Sequence, residues 1–186
     1  MTNTILQYVL YLVILVVLAI PLGNYIGKVM NGERVFLSRI LIPCENAMYR
    51  LLHVDKEESM GWKKYAACVL LFSGFGFILL FLFHLLQGAL PLNPEGLPGT
   101  SWHLAFNTTS SFVTNTNWQA YSGESTLSYF TQMMGLTVQN FVSAATGIAV
   151  LFVLIRAFTK VQEKGLGNFW VDMTRINLYV MIPICL

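Results

Sequence analysis

The sequence predicts an all-α integral membrane fold, and three observations carry that prediction. Charge is scarce: Asp, Glu, Lys and Arg make up 11% of the 186 residues, against about 25% in a soluble domain. Hydrophobic residues reach 55%, and mean hydropathy is +0.61. The apolar residues also gather into runs long enough for a bilayer, which takes about 20 residues to cross. Net charge is only +2, and the 11 Lys and Arg are spread through loops with no basic stripe. That pattern gives no support for nucleic-acid binding.

Residues 1–27 carry no charge, and "VLYLVILVVLAI" (Val9–Ile20) is almost wholly apolar. This is a first span; without a positive stretch before it, it makes a poor signal peptide. Pro21 is expected to kink or end the helix. Residues 28–64 form a polar loop of mixed charge. Within it "VFLSRILIP" and "NAMYRLLHV" space apolar residues helically around Arg39 and Arg50, as two surface helices divided by Pro43. Residues 65–86 form a second span, with Trp62, Lys63, Lys64 and Tyr65 suited to its interface.

Residues 125–155 form a third span, uncharged over 31 residues. A fourth apolar run starts at Ile176 and covers 11 residues to Leu186, about half a span. The chain therefore reads as a fragment or as prematurely stopped.

The positive charges orient these spans. Seven lie between Lys28 and Lys64, and the other four are Arg156, Lys160, Lys164 and Arg175. The positive-inside rule then puts the N-terminus and residues 88–124 outside, and the loops 28–64 and 156–175 in the cytoplasm.

Residues 88–124 are the informative part. "QGALPLNPEGLPG" reads as an extended outer loop. "TSWHLAFNTTSSFVT" follows as a helix capped by Thr100 or Ser101. About a dozen residues at 1.5 Å each span roughly 18 Å, about half a bilayer. From Asn107 to Gln119, ten of thirteen residues are Asn, Gln, Ser or Thr, and none is charged. Both ends of the segment lie outside, so it enters and returns without crossing. Irregular backbone at membrane depth persists only where protein buries it or where it lines a wet cavity. "VTNTNWQ" is thus expected to line an aqueous path, with neutral oxygens able to replace an alkali cation's hydration shell. A plain polar outer loop is the competing reading. Asn107-Thr108-Thr109 also matches a glycosylation triplet, discounted because it falls inside the half-helix.

The run "SFVTNTNWQAYSGESTLSYFTQMMGLTVQNFVSAATGIAVLFVLIRAFT" resembles the first filter and following helix of the potassium-binding A subunit of the Kdp potassium-transporting ATPase. "LPLNPEGLPG" before it and "LGNFWVDMTRI" after it fit the same family. The resemblance implies a potassium-channel-like helix–pore loop–helix repeat preceded by one extra transmembrane helix. It assigns residues 1–27 to that extra helix and 65–155 to the first of four repeats. Residues 176–186 then begin the second, so three of four filter segments lie outside this chain.

The resemblance further implies that Thr114, Asn115, Thr116 and Asn117 supply filter ligands for K⁺, with Gln119 beside the ion. It implies a multi-pass protein of the bacterial plasma (inner) membrane. Its partners would be a P-type ATPase B subunit, small accessory C and F subunits and membrane lipid. No nucleotide motif and no Ser/His/Asp or Cys/His arrangement occurs, which agrees with ATP being handled by that partner. Two rivals remain: a stand-alone or gating-ring-coupled transporter of the same superfamily, and a non-conducting helical scaffold.

Other residues carry paired readings. Gln139, Asn140 and Ser143, midway along the third span, either line a pore or bond neighbouring helices. "SAATG" (Ser143–Gly147) is expected to serve close helix packing. Glu124 is expected to begin the third helix, complementing its dipole or drawing cations to the mouth. His84 and His103 are expected as packing or interface residues. Cys68 and Cys185 are expected as small buried hydrophobes, and with Cys44 they fit no metal spacing.

Overall fold

A computed structural model of the chain describes residues 2–159 and 165–186, so the expected loop charges Lys160 and Lys164 fall outside the described residues. The described secondary structure is helical: α1 (Thr2–Met30), α2 (Ser38–Leu51), α3 (Trp62–Leu86), α4 (Trp102–Val113), α5 (Gly123–Thr126), α6 (Val138–Thr159), α7 (Phe169–Arg175) and α8 (Ile182–Cys185). Wider π-helical turns at Thr131–Thr137 and Ile176–Met181 lead into α6 and α8. Three helical stretches, Thr4–Met30, Trp62–Ala89 and Thr131–Thr159, are long and apolar enough to cross a membrane. This is a membrane protein. Contacts divide it into two compact units, Met1–His53 with Thr174–Leu186, and Val54–Met173.

In the first unit α1 continues past Pro21 to Met30, so the helix does not end there as one of the two expectations had it. A helix break in lipid would strand several backbone groups, whereas continuing past proline loses one hydrogen bond. Its side chains from Ile5 to Ile20 are exposed, as a helix solvated by acyl chains requires.

Pro43 likewise does not divide two helices; it lies inside the single helix α2. An interior proline costs about 3 kcal/mol, and the buried face of α2 offsets it. Ser38, Glu45 and Tyr49 share that face. The Glu45 carboxylate accepts from Tyr49 Oη (2.7 Å), Tyr179 Oη (2.7 Å) and Arg175 Nε (3.1 Å).

Burial alone would raise the Glu45 carboxyl, but those three donors outweigh it and hold the group below its ordinary 4.5. A carboxyl lowered in the folded state contributes stability above its unfolded value. That contribution is lost as pH falls through the folded value.

In the second unit α4 packs against both α3 and α6. Leu80, Phe112, Leu127 and Leu136 form the core there, with Tyr121 against it. The turn before α6 brings Gly135 so close to α3 that an added Cβ would lie 2.9 Å from Leu80 Cδ1. The third span starts later than Ser125. Leu127 is extended, and Glu124 sits in the separate single-turn helix α5 rather than at the head of the span. Its carboxylate accepts from Ser122 Oγ at 2.6 Å instead of capping a long dipole.

The loops flanking α4 are tied down by one buried side chain. Gln87 Nε2 donates to the Pro98 carbonyl (2.6 Å) and the Thr126 carbonyl (2.9 Å), and Gln87 Oε1 accepts from Ser128 N (3.2 Å). Buried backbone groups need such partners where water is excluded. Thr100 N donates to the His84 carbonyl at 3.0 Å. Beside it Gly99 lies so close to α3 that a Cβ would collide with the Leu85 carbonyl oxygen. His84 is fully buried, in keeping with a packing role. The cysteines differ from expectation: Cys68 is half-buried and Cys185 exposed, so neither fills a core site.

At the far end of α6, Arg156 meets Asp172 in a two-pronged ion pair of 2.6 and 2.9 Å. Tyr65 Oη donates to the same carboxylate at 2.9 Å. Phe72, Phe169 and Trp170 pack edge-on around them.

Asp172 is 2% and Arg156 16% exposed, so removing one partner strands a buried charge. Asp172→Ala is expected to cost about 3 kcal/mol, whereas joining it with Arg156→Met should cost less than the single change. Thermal unfolding of the four proteins in the double-mutant cycle measures this. For Glu45, hydrogen-exchange protection of α2 should hold from neutral pH down to about 5 and fall below that. Glu45→Gln should lower protection at pH 7 and remove the acid dependence.

Candidate ion-binding loop after α4

Ser101 caps α4 as expected, its Oγ accepting from Leu104 N. The cap and the buried face Ala105, Thr108, Thr109 and Phe112 follow helical spacing. What ends the helix is Asn115. Its φ of 57° lies in the left-handed region, which Asn tolerates better than most residues. Asn115 N donates to the Phe112 carbonyl (3.2 Å) and Thr116 N to the Ser111 carbonyl (2.8 Å), the paired bonds of a Schellman cap. Asn117 adopts the same region, with φ 59°.

Three successive peptide N–H groups then converge on one residue. Thr116 N (2.8 Å) and Asn117 N (3.2 Å) donate to the Ser111 carbonyl, and Trp118 N donates to Ser111 Oγ at 2.6 Å. In a planar trans peptide the carbonyl of one residue points opposite to the N–H of the next. The carbonyls of Asn115, Thr116 and Asn117 are therefore turned away from Ser111. Among the described residues, the carbonyls from Thr114 to Asn117 accept no hydrogen bond.

Side chains add to this frame. Thr114 Oγ1 donates to the Ser110 carbonyl (2.8 Å) and lies 3.0 Å from Thr116 Oγ1. Asn115 Oδ1 accepts from Asn117 Nδ2 and from Ser143 Oγ on α6, each at 3.3 Å. Gln119 is exposed and makes no hydrogen bond among the described residues.

The three polar residues of α6 are thus separated in role. Ser143 reaches the loop. Gln139 packs on α3, where a Cβ at Gly76 would lie 2.8 Å from its Oε1. Asn140 Oδ1 is buried with no partner among the described residues. In "SAATG", Ser143 and Ala145 are buried, but Gly147 has open space beside it. Close packing therefore covers only part of that face.

Sequence reasoning missed Ser111 and Gln87. The signal for Ser111 was available: a serine one turn before an asparagine that terminates a helix. Gln87 had no local signal, because its partners lie 11 to 41 residues away.

Chemically the loop offers neutral oxygens and no charge. The closest acidic group in sequence, Glu124, is held low first by its hydrogen bond from Ser122. Among the described residues, no group of His, Cys, Asp and Glu is arranged to hold a metal ion. Because Asn115 is left-handed, Asn115→Val should cost about 1–2 kcal/mol more than Asn115→Gly. Thermal unfolding of the two variants provides the comparison, since both lose the Ser143 bond.

Comparison with known proteins extends over the whole chain. Residues 9–186 match the family described as the potassium-transporting ATPase A subunit. A potassium-transporting ATPase potassium-binding subunit from Clostridium botulinum (strain Eklund 17B / Type B) is 70% identical over 184 residues, covering 99% of this chain and 32% of its own length. The subunit of the same name from Desulfovibrio desulfuricans is 59% identical over 186 residues, covering 100% of this chain and 32% of its own. That from Listeria welshimeri is 60% identical over 186 residues, covering 100% and 33%. The chain spans about a third of the length of these relatives. A match extending over nearly every residue rests on more than the polar run, and the chain belongs to the potassium-transporting ATPase A subunit family.

Proposed function

We propose that this chain supplies one wall of a potassium selectivity filter in an ATP-driven potassium importer. The observation that carries the reading is the set of carbonyls at Asn115, Thr116 and Asn117. They are turned away from Ser111, free of hydrogen bonds among the described residues, at the C-terminal end of α4. Helix C-termini carry partial negative charge, and carbonyl rings can replace the hydration shell of K⁺. Neutral dipoles hold a monovalent cation without trapping it, as a carboxylate ring would tend to.

In this reading residues 65–155 form a helix–pore loop–helix repeat. Support comes from α3, α4 and α6 packing together within one compact unit. Residues 1–27 are the preceding extra helix, 28–64 and 156–175 are cytoplasmic loops, and 176–186 open a second repeat. The N-terminus and residues 88–124 face outward, across a bacterial inner membrane. K⁺ arrives from outside, sheds water on Thr114 to Asn117, and passes a site shaped by Gln119. Asn140 and Ser143 stand below the loop, with Gln139 turned to α3. Relatives named as subunits of a potassium-transporting ATPase support partners that handle ATP, a P-type B subunit with small C and F subunits.

Gln119→Arg in a full-length family subunit carrying this segment should raise the K⁺ concentration for half-maximal uptake about tenfold or more, roughly 1.4 kcal/mol. Vesicle uptake by the reconstituted complex measures it. An unchanged concentration would remove Gln119 from the ion site.

A further inference from the structure

We infer that Ser111 is the positioning residue of the filter, setting the direction of the carbonyls that meet the ion without touching the ion itself. The inference rests on the proposed filter reading and deepens it. A chain leaving a helix through two left-handed residues, Asn115 and Asn117, has several ways to turn its peptides. Converging N–H groups in such a turn form a concavity that attracts anions. Here that concavity is filled from within, by the two oxygens of Ser111.

The carbonyl oxygen takes the N–H groups of Thr116 and Asn117, while Oγ takes that of Trp118 at 2.6 Å. Since each N–H shares a rigid plane with the preceding carbonyl, three bonds on one residue set three carbonyl directions. Two of these bonds are made by main chain and survive any substitution. The third belongs to the hydroxyl, and it is the one that sets the Asn117 carbonyl. Ser111 itself is held by α4, whose Phe112 is fixed in the core with Leu80, Leu127 and Leu136. Core and loop therefore meet at this residue.

The experiment uses Ser111→Ala and Ser111→Thr in a full-length family subunit carrying this segment, assembled with its ATPase and reconstituted. Two quantities are read: the K⁺ and Rb⁺ concentrations for half-maximal uptake, and the K⁺-dependent rise in the complex's unfolding temperature. Ser111→Ala is expected to raise the half-maximal K⁺ concentration about tenfold, with the maximal rate within about twofold. It should shrink the K⁺-dependent thermal shift and narrow the difference between K⁺ and Rb⁺. Ser111→Thr, which keeps the hydroxyl, should restore all three.

If Ser111→Ala fails to assemble, Ser111→Cys keeps the volume with a weaker acceptor and is read in the same way. An assembled Ala or Cys variant with unchanged half-maximal K⁺ and thermal shift overturns the positioning role. A fall in maximal rate alone, unrescued by Thr, overturns it too. Absence of any K⁺-dependent thermal shift in the unsubstituted complex instead overturns the filter reading itself.

Discussion

Backbone N–H groups need hydrogen-bond partners, and the loop after α4 finds them on α4 itself. Ser111 receives the N–H groups of Thr116, Asn117 and Trp118, and Phe112 receives that of Asn115. Once the donors are satisfied, the acceptors of the same peptides are left on the other side. A chain that had solved the problem by continuing the helix would have paired the carbonyls as well. Ending it with left-handed asparagines separates the two needs.

The same economy runs through the surrounding unit. Gln87 satisfies backbone on both sides of α4, from Pro98 to Ser128, and Asn93 closes its own turn with reciprocal bonds to Leu97 of 2.8 and 2.9 Å. Gly99 lets its segment approach α3 where any side chain would collide with the Leu85 carbonyl, and at Gly135 a Cβ would press on the end of Leu80. The loop is thus held by a scaffold whose rigidity comes from packing on one side and satisfied polar groups on the other. Ser143 extends that support to α6 through Asn115.

Charge is handled separately from the loop. Asp172 with Arg156 and Tyr65, and Glu45 with Arg175, Tyr49 and Tyr179, each gather their donors around a single carboxylate. Within each compact unit these clusters join segments distant in sequence.

Much of this was legible in sequence because it depends on local rules. Long uncharged runs predict α1, α3 and α6, and Thr100 or Ser101 predicts the start of α4. The dense Asn and Thr run predicts where regular structure stops. The polar run also carried the family resemblance. What failed locally was decided by tertiary context. Pro43 sits inside a helix because Glu45 binds Tyr179 and Arg175 more than 120 residues away. Ser143 faces the loop while Gln139, one turn earlier, faces α3, and no periodicity separates them. Sequence by itself determined the three long apolar helices and the half-length helix α4, because hydropathy and capping act over a few residues. Only the tertiary structure decided which polar groups are used up as partners and which remain open, because hydrogen bonds are assigned by proximity in space.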